Sequence, residues 1–138
     1  MKIVFTLPGE PVGKGRPRFS TAGKFPRAYT PEKTASYESL VKLAAARAMA
    51  GKPPVSGAVS VSINAFFSIP KSASRERKAR MISKDIRPTK KSDADNIAKI
   101  ICDSLNGIVW HDDAQVVSLQ VEKIYAETPM VEVNINAL

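Results

Sequence analysis

Carboxylates crowd one short stretch of the chain, residues 91–117, whose sequence is KSDADNIAKIICDSLNGIVWHDDAQVV. Five of the protein's thirteen acidic residues lie there: Asp93, Asp95, Asp103, Asp112 and Asp113. Mg²⁺ keeps several of its waters in proteins and needs only a few converging carboxylates. Such an ion can polarise a phosphorus, activate a water and stabilise a leaving oxygen. The residue types therefore suit a carboxylate metal site that hydrolyses phosphodiesters.

Lys99 lies one helical turn beyond Asp95 in the same stretch. A lysine there could contact the scissile phosphate, stabilise charge in the transition state or protonate the leaving oxygen. Each residue could instead have a purely structural role, because Asp and Lys four residues apart form surface pairs and an aspartate at a helix start is often only a cap. The residue types alone leave both interpretations open.

Only one cysteine, Cys102, and one histidine, His111, occur in the chain. A cysteine cluster and a His-rich zinc site are therefore excluded, and any metal must be held mainly by oxygen, which indicates Mg²⁺ or Mn²⁺. Cys102 has no histidine near it on its helix, and we expect it to be a core residue rather than a nucleophile. GKGRPR lacks the Walker A spacing, and no small-molecule cofactor is expected.

Positive charge predominates, with 21 Lys and Arg against 13 Asp and Glu, and the formal net charge is +8. Such a balance favours an anionic partner, most commonly nucleic acid. Nine of the cations lie in residues 71–91, directly before the aspartates. A solvated helix face is the alternative, but an excess of one sign beside the carboxylates favours contact with backbone phosphates. Of these cations, Arg87, Lys90 and Lys91 are candidate DNA-binding residues.

Residues 8–31 form a second basic segment, rich in proline and glycine, for which we expect a long loop without regular structure. Its cations alternate with aromatic residues, which can stack on unpaired bases while the cations neutralise phosphates. The alternative is a loop whose charges only confer solubility, but a loop of this length is more often functional. The candidate DNA-binding residues here are Lys14, Arg16, Arg18, Lys24 and Arg27.

Hydrophobic periodicity predicts a single domain covering residues 1–138. Strands are expected at 2–7, 57–69, 115–126 and 130–136, with the last two joined at 127–129 as a hairpin. The two main helices are expected at 32–50 and 95–106, and a short helix capped by Ser72 or Ser74 at about 72–83. The predicted fold class is α+β, a small mixed sheet of about four strands with two main helices packed on it.

The acidic groups can meet only if the chain turns back after the helix at 95–106. That helix is about 18 Å long at 1.5 Å per residue. The segment that follows must therefore run alongside it for Asp113 to reach Asp95. The chain shows no run as long as a membrane span and no signal-peptide pattern, and we expect a cytoplasmic protein.

The motifs KKSDADNIAK, CDSLNG and VWHDDAQVV resemble the RusA-type Holliday junction resolvases, a family of crossover junction endodeoxyribonucleases common in phages and prophages. The family pattern is a basic residue before D-x-D-N and a lysine, then D-x-L-N/T, then W-x-D-D-A/S-Q. GEPVGKGRPR near the start resembles the phage-type branch. Ser92 departs from the proline that is frequent before the first aspartate.

The resemblance implies a Mg²⁺-dependent homodimer that resolves four-way junction DNA by paired nicks, in recombination and repair. It assigns metal binding and catalysis to Asp93, Asp95 and Asp113, and makes Lys99 the catalytic lysine. Asp103 and Asp112 match recurrent positions and take supporting roles behind the ligands or in helix packing. Two-fold symmetric junctions also suit a C2 dimer, and the apolar residues of 108–110 and the helix 32–50 are candidates for its interface.

Two other functions compete with junction cleavage. A non-catalytic nucleic-acid-binding module would bind tightly and salt-sensitively without metal-dependent nicking. Carboxylates facing phosphate would hinder pure binding, and the intact aspartates and Lys99 therefore argue against it. A structural or RNA-associated basic protein would prefer single-stranded RNA to junction DNA.

Overall fold

The computed structural model describes residues 1–14 and 32–138, together with the backbone of 18–20 and 27–29. The helices are α1 (Glu32–Met49), α2 (Arg75–Ile82) and α3 (Ala94–Ser104), and a single 3₁₀ turn spans Asp113–Gln115. The strands are β1 (Lys2–Pro8), β2 (Arg18–Ser20), β3 (Arg27–Tyr29), β4 (Val59–Ser68), β5 (Val116–Ala126) and β6 (Met130–Ala137). Both predicted main helices and the short basic helix are confirmed, and Ser74 caps α2 by accepting a hydrogen bond from Arg77 N.

Four strands form the main sheet, in the order β1-β6-β4-β5. β4 and β5 are parallel, whereas the β1–β6 and β4–β6 pairs are antiparallel. The predicted α+β class with a mixed sheet of about four strands is confirmed. α1 packs against β1 and α3, and α3 also contacts β5, which places the acidic helix beside the start of β5.

The predicted hairpin between the last two strands is wrong, because β4 lies between β5 and β6. Alternation of apolar residues reports which face of a strand is buried and not which strand is its neighbour. The three linking residues 127–129 can span roughly 10 Å when extended. That length is enough to cross over one strand, since two strand spacings are about 9.6 Å.

The core fills the space between one face of the sheet and the helices. On β4, Val59, Val61, Ile63 and Ala65 are buried at alternate positions, as predicted from their spacing. Ile97, Ile100 and Ile101 of α3 and Leu105 after it are fully buried, which confirms the predicted inward face of that helix. Apolar burial of this extent is the main source of stability in a domain of this size.

Val109 and Trp110 are completely buried in the same core. The idea that the apolar residues of 108–110 offer a dimer interface is therefore wrong for these two, and Ile108 is partly covered. The indole Nε1–H of Trp110 donates to Asn106 Oδ1 at 2.8 Å. This bond satisfies the one polar atom of the largest buried side chain.

The prediction that 8–31 has no regular structure needs correction, because β2 and β3 pair antiparallel within it, with Phe19 opposite Ala28. The side chains of these strands, and residues 15–17, 21–26, 30 and 31, lie outside the described residues. Within the described ranges, no helix is long and apolar enough to cross a membrane.

Candidate active site

Two aspartates flank the first turn of α3. Asp93 is the N-cap, with an extended backbone (φ −73°, ψ 151°), and its side chain makes no capping hydrogen bond. Asp95 lies within the first helical turn, where the helix dipole favours a negative charge. Asp93 thus occupies the N-cap position without capping the helix through its carboxylate, and the side chains of both Asp93 and Asp95 are exposed.

An open cavity of about 480 Å³ lies between α3 and the start of β5. Three residues at four-residue spacing along one face of α3 line it: Asp95, Lys99 and Asp103. Asp113 enters from the other side, because the chain turns back after α3 and the 3₁₀ turn leads into β5 beside the helix. The return path predicted from the helix length is therefore the one the chain follows.

Asp93 lines a different cavity, of about 250 Å³, with Gly13, Lys14, Lys91, Ser92 and Asn96. In the part of the chain that the structure describes, no three or more His, Cys, Asp or Glu side chains form a group able to hold a metal ion. The structure thus brings Asp95 and Asp113 to one cavity and leaves Asp93 at its neighbour. Two carboxylates still fit Mg²⁺, which commonly takes one or two protein carboxylates and completes its shell with water and substrate phosphates.

Cys102 lines the larger cavity and is almost completely buried, and the pKa of its thiol responds to the charges around it. Burial, followed by the charges of Asp113 and Asp103, raises the pKa of the Cys102 thiol to about 11. The thiol is therefore protonated at neutral pH, which agrees with a core residue rather than a nucleophile. The part of this shift that comes from Asp113 and Asp103 indicates that both carboxylates lie near Cys102.

Asp103 and Lys14 connect α3 to the N-terminal segment. Lys14 Nζ lies 2.6 Å from Glu38 Oε1 and 3.7 Å from Asp103 Oδ2, and its side chain is 22% exposed. A lysine that is paired with two carboxylates and mostly covered has little charge to offer a phosphate. Lys14 therefore acts in the structure as a bridge between α1 and α3, while Asp103 holds one end of that bridge.

The backbone of the N-terminal segment docks directly on the start of α3. Gly13 N donates to Ser92 Oγ at 2.9 Å, and Lys14 N donates to Asn96 O at 3.0 Å. A Cβ on Gly13 would lie 3.0 Å from the Cβ atoms of Ser92 and Asn96, closer than most real Cβ contacts, so these neighbours would have to move by a few tenths of an ångström. We call these three residues, Gly13, Ser92 and Asn96, the clasp. Sequence reasoning missed it, since its two sides are 79 residues apart.

Asp112 does not line either cavity and instead starts the 3₁₀ turn that carries Asp113. It forms a capping box with Gln115, whose Oε1 accepts from His111 N at 2.8 Å and Asp112 N at 3.1 Å. Gln115 Nε2 donates to the carbonyls of Val55 at 2.8 Å and Gly57 at 2.9 Å. Gln115 thereby fixes the turn against the segment before β4. Its place in the WHDDAQ motif was the available signal, but no role was predicted for it.

The basic residues before α3 lie along the second half of β5. Arg87 Nη1 donates to Lys123 O at 3.1 Å and lies 3.7 Å from Glu122 Oε2. Lys123 Nζ donates to Lys90 O at 2.6 Å and lies 5.1 Å from the centroid of the Phe67 ring. Arg87, Lys90 and Lys91 are exposed, as DNA contact requires.

The exposure and contacts of the DNA-binding residues predicted between 16 and 27 cannot be given. Arg16 and Lys24, and the side chains of Arg18 and Arg27, lie outside the described residues. Their segment nevertheless follows Lys14 directly, and Lys14 is held at the start of α3 by its backbone.

Comparison with known proteins identifies the family. The model of the family described as endodeoxyribonuclease RusA matches residues 8–136, and the chain therefore belongs to the RusA family. It is also 38% identical over 137 residues to the uncharacterized protein YqaN of Bacillus subtilis (strain 168), a match covering 96% of this chain and 94% of that protein. The expected RusA-type relationship is confirmed, and nuclease action on DNA is the general function that the family indicates.

Proposed function

We propose that the protein is a Mg²⁺-dependent, structure-selective endodeoxyribonuclease that resolves four-way junctions in DNA recombination and repair. The observation that carries the proposal is the shared cavity of Asp95, Lys99 and Asp113 in a chain of the RusA family. These residues come from two elements, and the fold does not require them to converge on one open surface. Two carboxylates and a lysine are suited to phosphodiester hydrolysis.

Asp95 and Asp113 are the residues that would hold the Mg²⁺ ion, with Mn²⁺ as the substitute of similar ligand preference. When bound, the ion supplies charge stabilisation to the scissile phosphate and lowers the pKa of its water. Asp93, at the adjoining cavity, is positioned to act on a substrate that spans both cavities. Its exposed carboxylate is one residue away from α3 and free of a capping bond.

Lys99 lies on α3 and lines the same cavity as the two carboxylates. A fixed positive charge there stabilises the extra negative charge on the phosphate oxygens in the transition state, and it can donate a proton toward the leaving oxygen. The helix is anchored by its fully buried isoleucines, so little movement is needed to place this charge.

The cationic surface beside the cavity provides the DNA contacts. α2 exposes four cations, and only Met81 of its side chains is buried. The cations of α2 are Arg75, Arg77, Lys78 and Arg80. With Arg87, Lys90 and Lys91 they give the stretch before the aspartates a strong excess of positive charge over its two acids, Glu76 and Asp85. Contacts of this type bind phosphates without reading sequence, which suits recognition of shape.

A homodimer is part of the proposal, because a four-way junction offers two equivalent strands to be cut and a C2 pair presents two equivalent cavities. The origin in a phage or prophage is supported by the GEPVGKGRPR segment, which resembles that branch of the family.

One observation favours a second candidate, a nucleic-acid-binding module without catalysis. Within the described ranges, no group of three metal-ligating side chains forms in a single chain. Such a module would bind junctions in a salt-dependent manner and leave them uncut with any divalent ion.

Cleavage of a synthetic four-way junction and of a linear duplex, each with and without Mg²⁺, tests the proposal. We expect Mg²⁺-dependent nicking of the junction and little of the duplex, and loss of nicking in Asp95→Asn while its folded state is retained. Equal cleavage of both substrates would refute junction selectivity. Cleavage that survives in Asp95→Asn would refute the site, and tight binding without cleavage by the wild type would establish the second candidate.

A further inference from the structure

The main sheet has two edge strands, and they are protected differently. β1 forms one edge and carries Lys2 and Pro8, a charged residue and a residue without an N–H, both of which discourage pairing with another strand. β5 forms the other edge and pairs with β4 alone. Its two halves differ from each other.

The second half of β5 is covered by other parts of the same chain. α2 packs against β5, and Arg87 Nη1 donates to the Lys123 carbonyl at 3.1 Å. Glu122 and Lys123 add charge to this half. A foreign strand would meet a covered and charged edge here.

In the part of the chain that the structure describes, no such contact protects the first half of β5. Residues 116–121, VVSLQV, contain no charge, and residues 117–120 are all exposed. Val117 is 63% exposed and Leu119 49%. Leu119 lies beside Val61 in the parallel register, on the face of the sheet that packs the core, where Val61 itself is 3% exposed. The exposed apolar surface therefore arises at an edge with no neighbouring strand among those the structure describes.

We propose that residues 118–121 of β5 pair antiparallel with the same residues of a second copy of this chain, and so form the dimer interface. Main-chain hydrogen bonds would extend the sheet across a two-fold axis, and Val117 and Leu119 would be covered from both sides. The inference gives the homodimer of the proposed function a surface, and it rests on that function only for the expectation that a dimer exists.

Charge complementarity identifies the occupant as a second copy. The acidic turn with Asp112 and Asp113 precedes β5, whereas the other end of the uncharged stretch is flanked by three cations, Arg87, Lys90 and Lys123, and by Glu122, which pairs with Arg87. Antiparallel pairing brings the acidic end of one copy beside the cationic end of the other. Two chains of charge +8 repel elsewhere, so an uncharged strand with oppositely charged ends is the surface on which they can meet.

The interface would adjoin the catalytic cavity. Val117, Ser118 and Leu119 line that cavity together with Asp95 and Asp113. A second copy on this edge would therefore become part of the cavity's rim, and the two cavities would flank the two-fold axis.

The mass of the purified full-length protein, measured in solution by light scattering or sedimentation without DNA or metal, tests the interface. We expect twice the chain mass of 15.0 kDa for the wild type. Leu119→Lys should weaken the dimer by about tenfold or more, since each copy would bring an unpaired charge into the interface. Val4→Lys is the matched control, because Val4 is 50% exposed on the other edge strand, and it should remain dimeric.

Hydrogen exchange of the wild type at high and low protein concentration gives an independent readout. The amides of 118–121 that face away from β4 should be protected in the dimer and exchange faster on dilution, whereas those of β1 should not change. A monomeric wild type, a dimer unaffected by Leu119→Lys, or protection confined to another surface would each overturn the interface. Nuclease activity is not measured in either experiment, so failure here leaves the proposed function to be judged by its own cleavage test.

Discussion

Lys99 and Asp95 show how much of the candidate site depends on a single helical turn. Four residues apart on α3, both line the cavity that Asp113 enters from the 3₁₀ turn. An exposed pair of this kind contributes only about 0.2–0.5 kcal/mol to a helix. Stability therefore gives little reason for these residues, whereas phosphodiester chemistry gives a role to each.

Replacing Lys99 with alanine should separate binding from cleavage. We expect Lys99→Ala to bind a four-way junction nearly as well as the wild type while cleaving it about 10²–10³-fold more slowly, the usual cost of removing one group that stabilises transition-state charge. Single-turnover cleavage and a gel-shift titration measure the two quantities. Lys42→Ala, an exposed lysine on α1, is the control and should leave both unchanged. Loss of binding together with cleavage would make Lys99 a binding or folding residue.

At the scale of elements, the clasp formed by Gly13, Ser92 and Asn96 joins the N-terminal segment to α3. Substituting Gly13→Ala inserts a methyl group 3.0 Å from two Cβ atoms, and overpacking of this kind costs about 1–3 kcal/mol. Urea unfolding should show that loss in the free energy of unfolding. Ser92→Ala removes the hydrogen bond without adding volume and should cost about 1 kcal/mol. A Gly13→Ala protein as stable as the wild type would contradict the close packing.

The 3₁₀ turn depends on Gln115 in a similar way. Gln115→Ala removes two donated and two accepted hydrogen bonds, and we expect a loss of about 1–3 kcal/mol in the free energy of unfolding. Cleavage should also be slower, because Asp113 lies in the same turn. Gln115→Glu keeps the acceptor toward His111 N and Asp112 N but loses the donor. Its free energy of unfolding should lie between those of the wild type and Gln115→Ala. Equal stability of all three proteins in urea titrations would exclude the anchoring role.

Elements with a strong period could be predicted from sequence. α3 was found because Ile97, Ile100 and Ile101 recur at helical spacing, and β4 because Val59 and Val61 alternate with serines. The order of strands could not be predicted in this way, since β5 and β6 alternate just as well whether they pair or lie on either side of β4. The clasp left no local pattern, because a contact over 79 residues depends on the whole fold.

For the candidate site, the sequence could predict the types of residue and the return of Asp113 to α3. The division between the two cavities could not, because Asp93 and Asp95 are separated by a single residue and only the backbone path before α3 decides where each carboxylate points. Lys14 looked like a free cation in a basic loop, whereas Glu38 and Asp103 pair with it. Its partners lie on two helices distant in sequence, and composition cannot identify them.

For the whole molecule, the excess of positive charge predicts strongly salt-dependent binding. Each phosphate contact removed should lower the slope of log affinity against log salt by about 1. We expect Arg77→Gln, on the exposed face of α2, to lower the slope for junction binding by this amount without changing cleavage of the bound substrate. Arg47→Gln on α1 is the matched control. An unchanged slope for Arg77→Gln would remove α2 from the DNA-binding surface.

The strand order β1-β6-β4-β5 also has a consequence for the order of events during synthesis. Every pairing in the main sheet involves β5 or β6, because β1 pairs only with β6 and β4 only with those two. The ribosome therefore makes the carboxylates of α3 well before any strand of this sheet has a partner, and pairings so distant in sequence form slowly. Asp113 can be held beside Asp95 only after β5 is in place. The nascent chain thus carries the candidate site residues before the sheet that brings them together has formed.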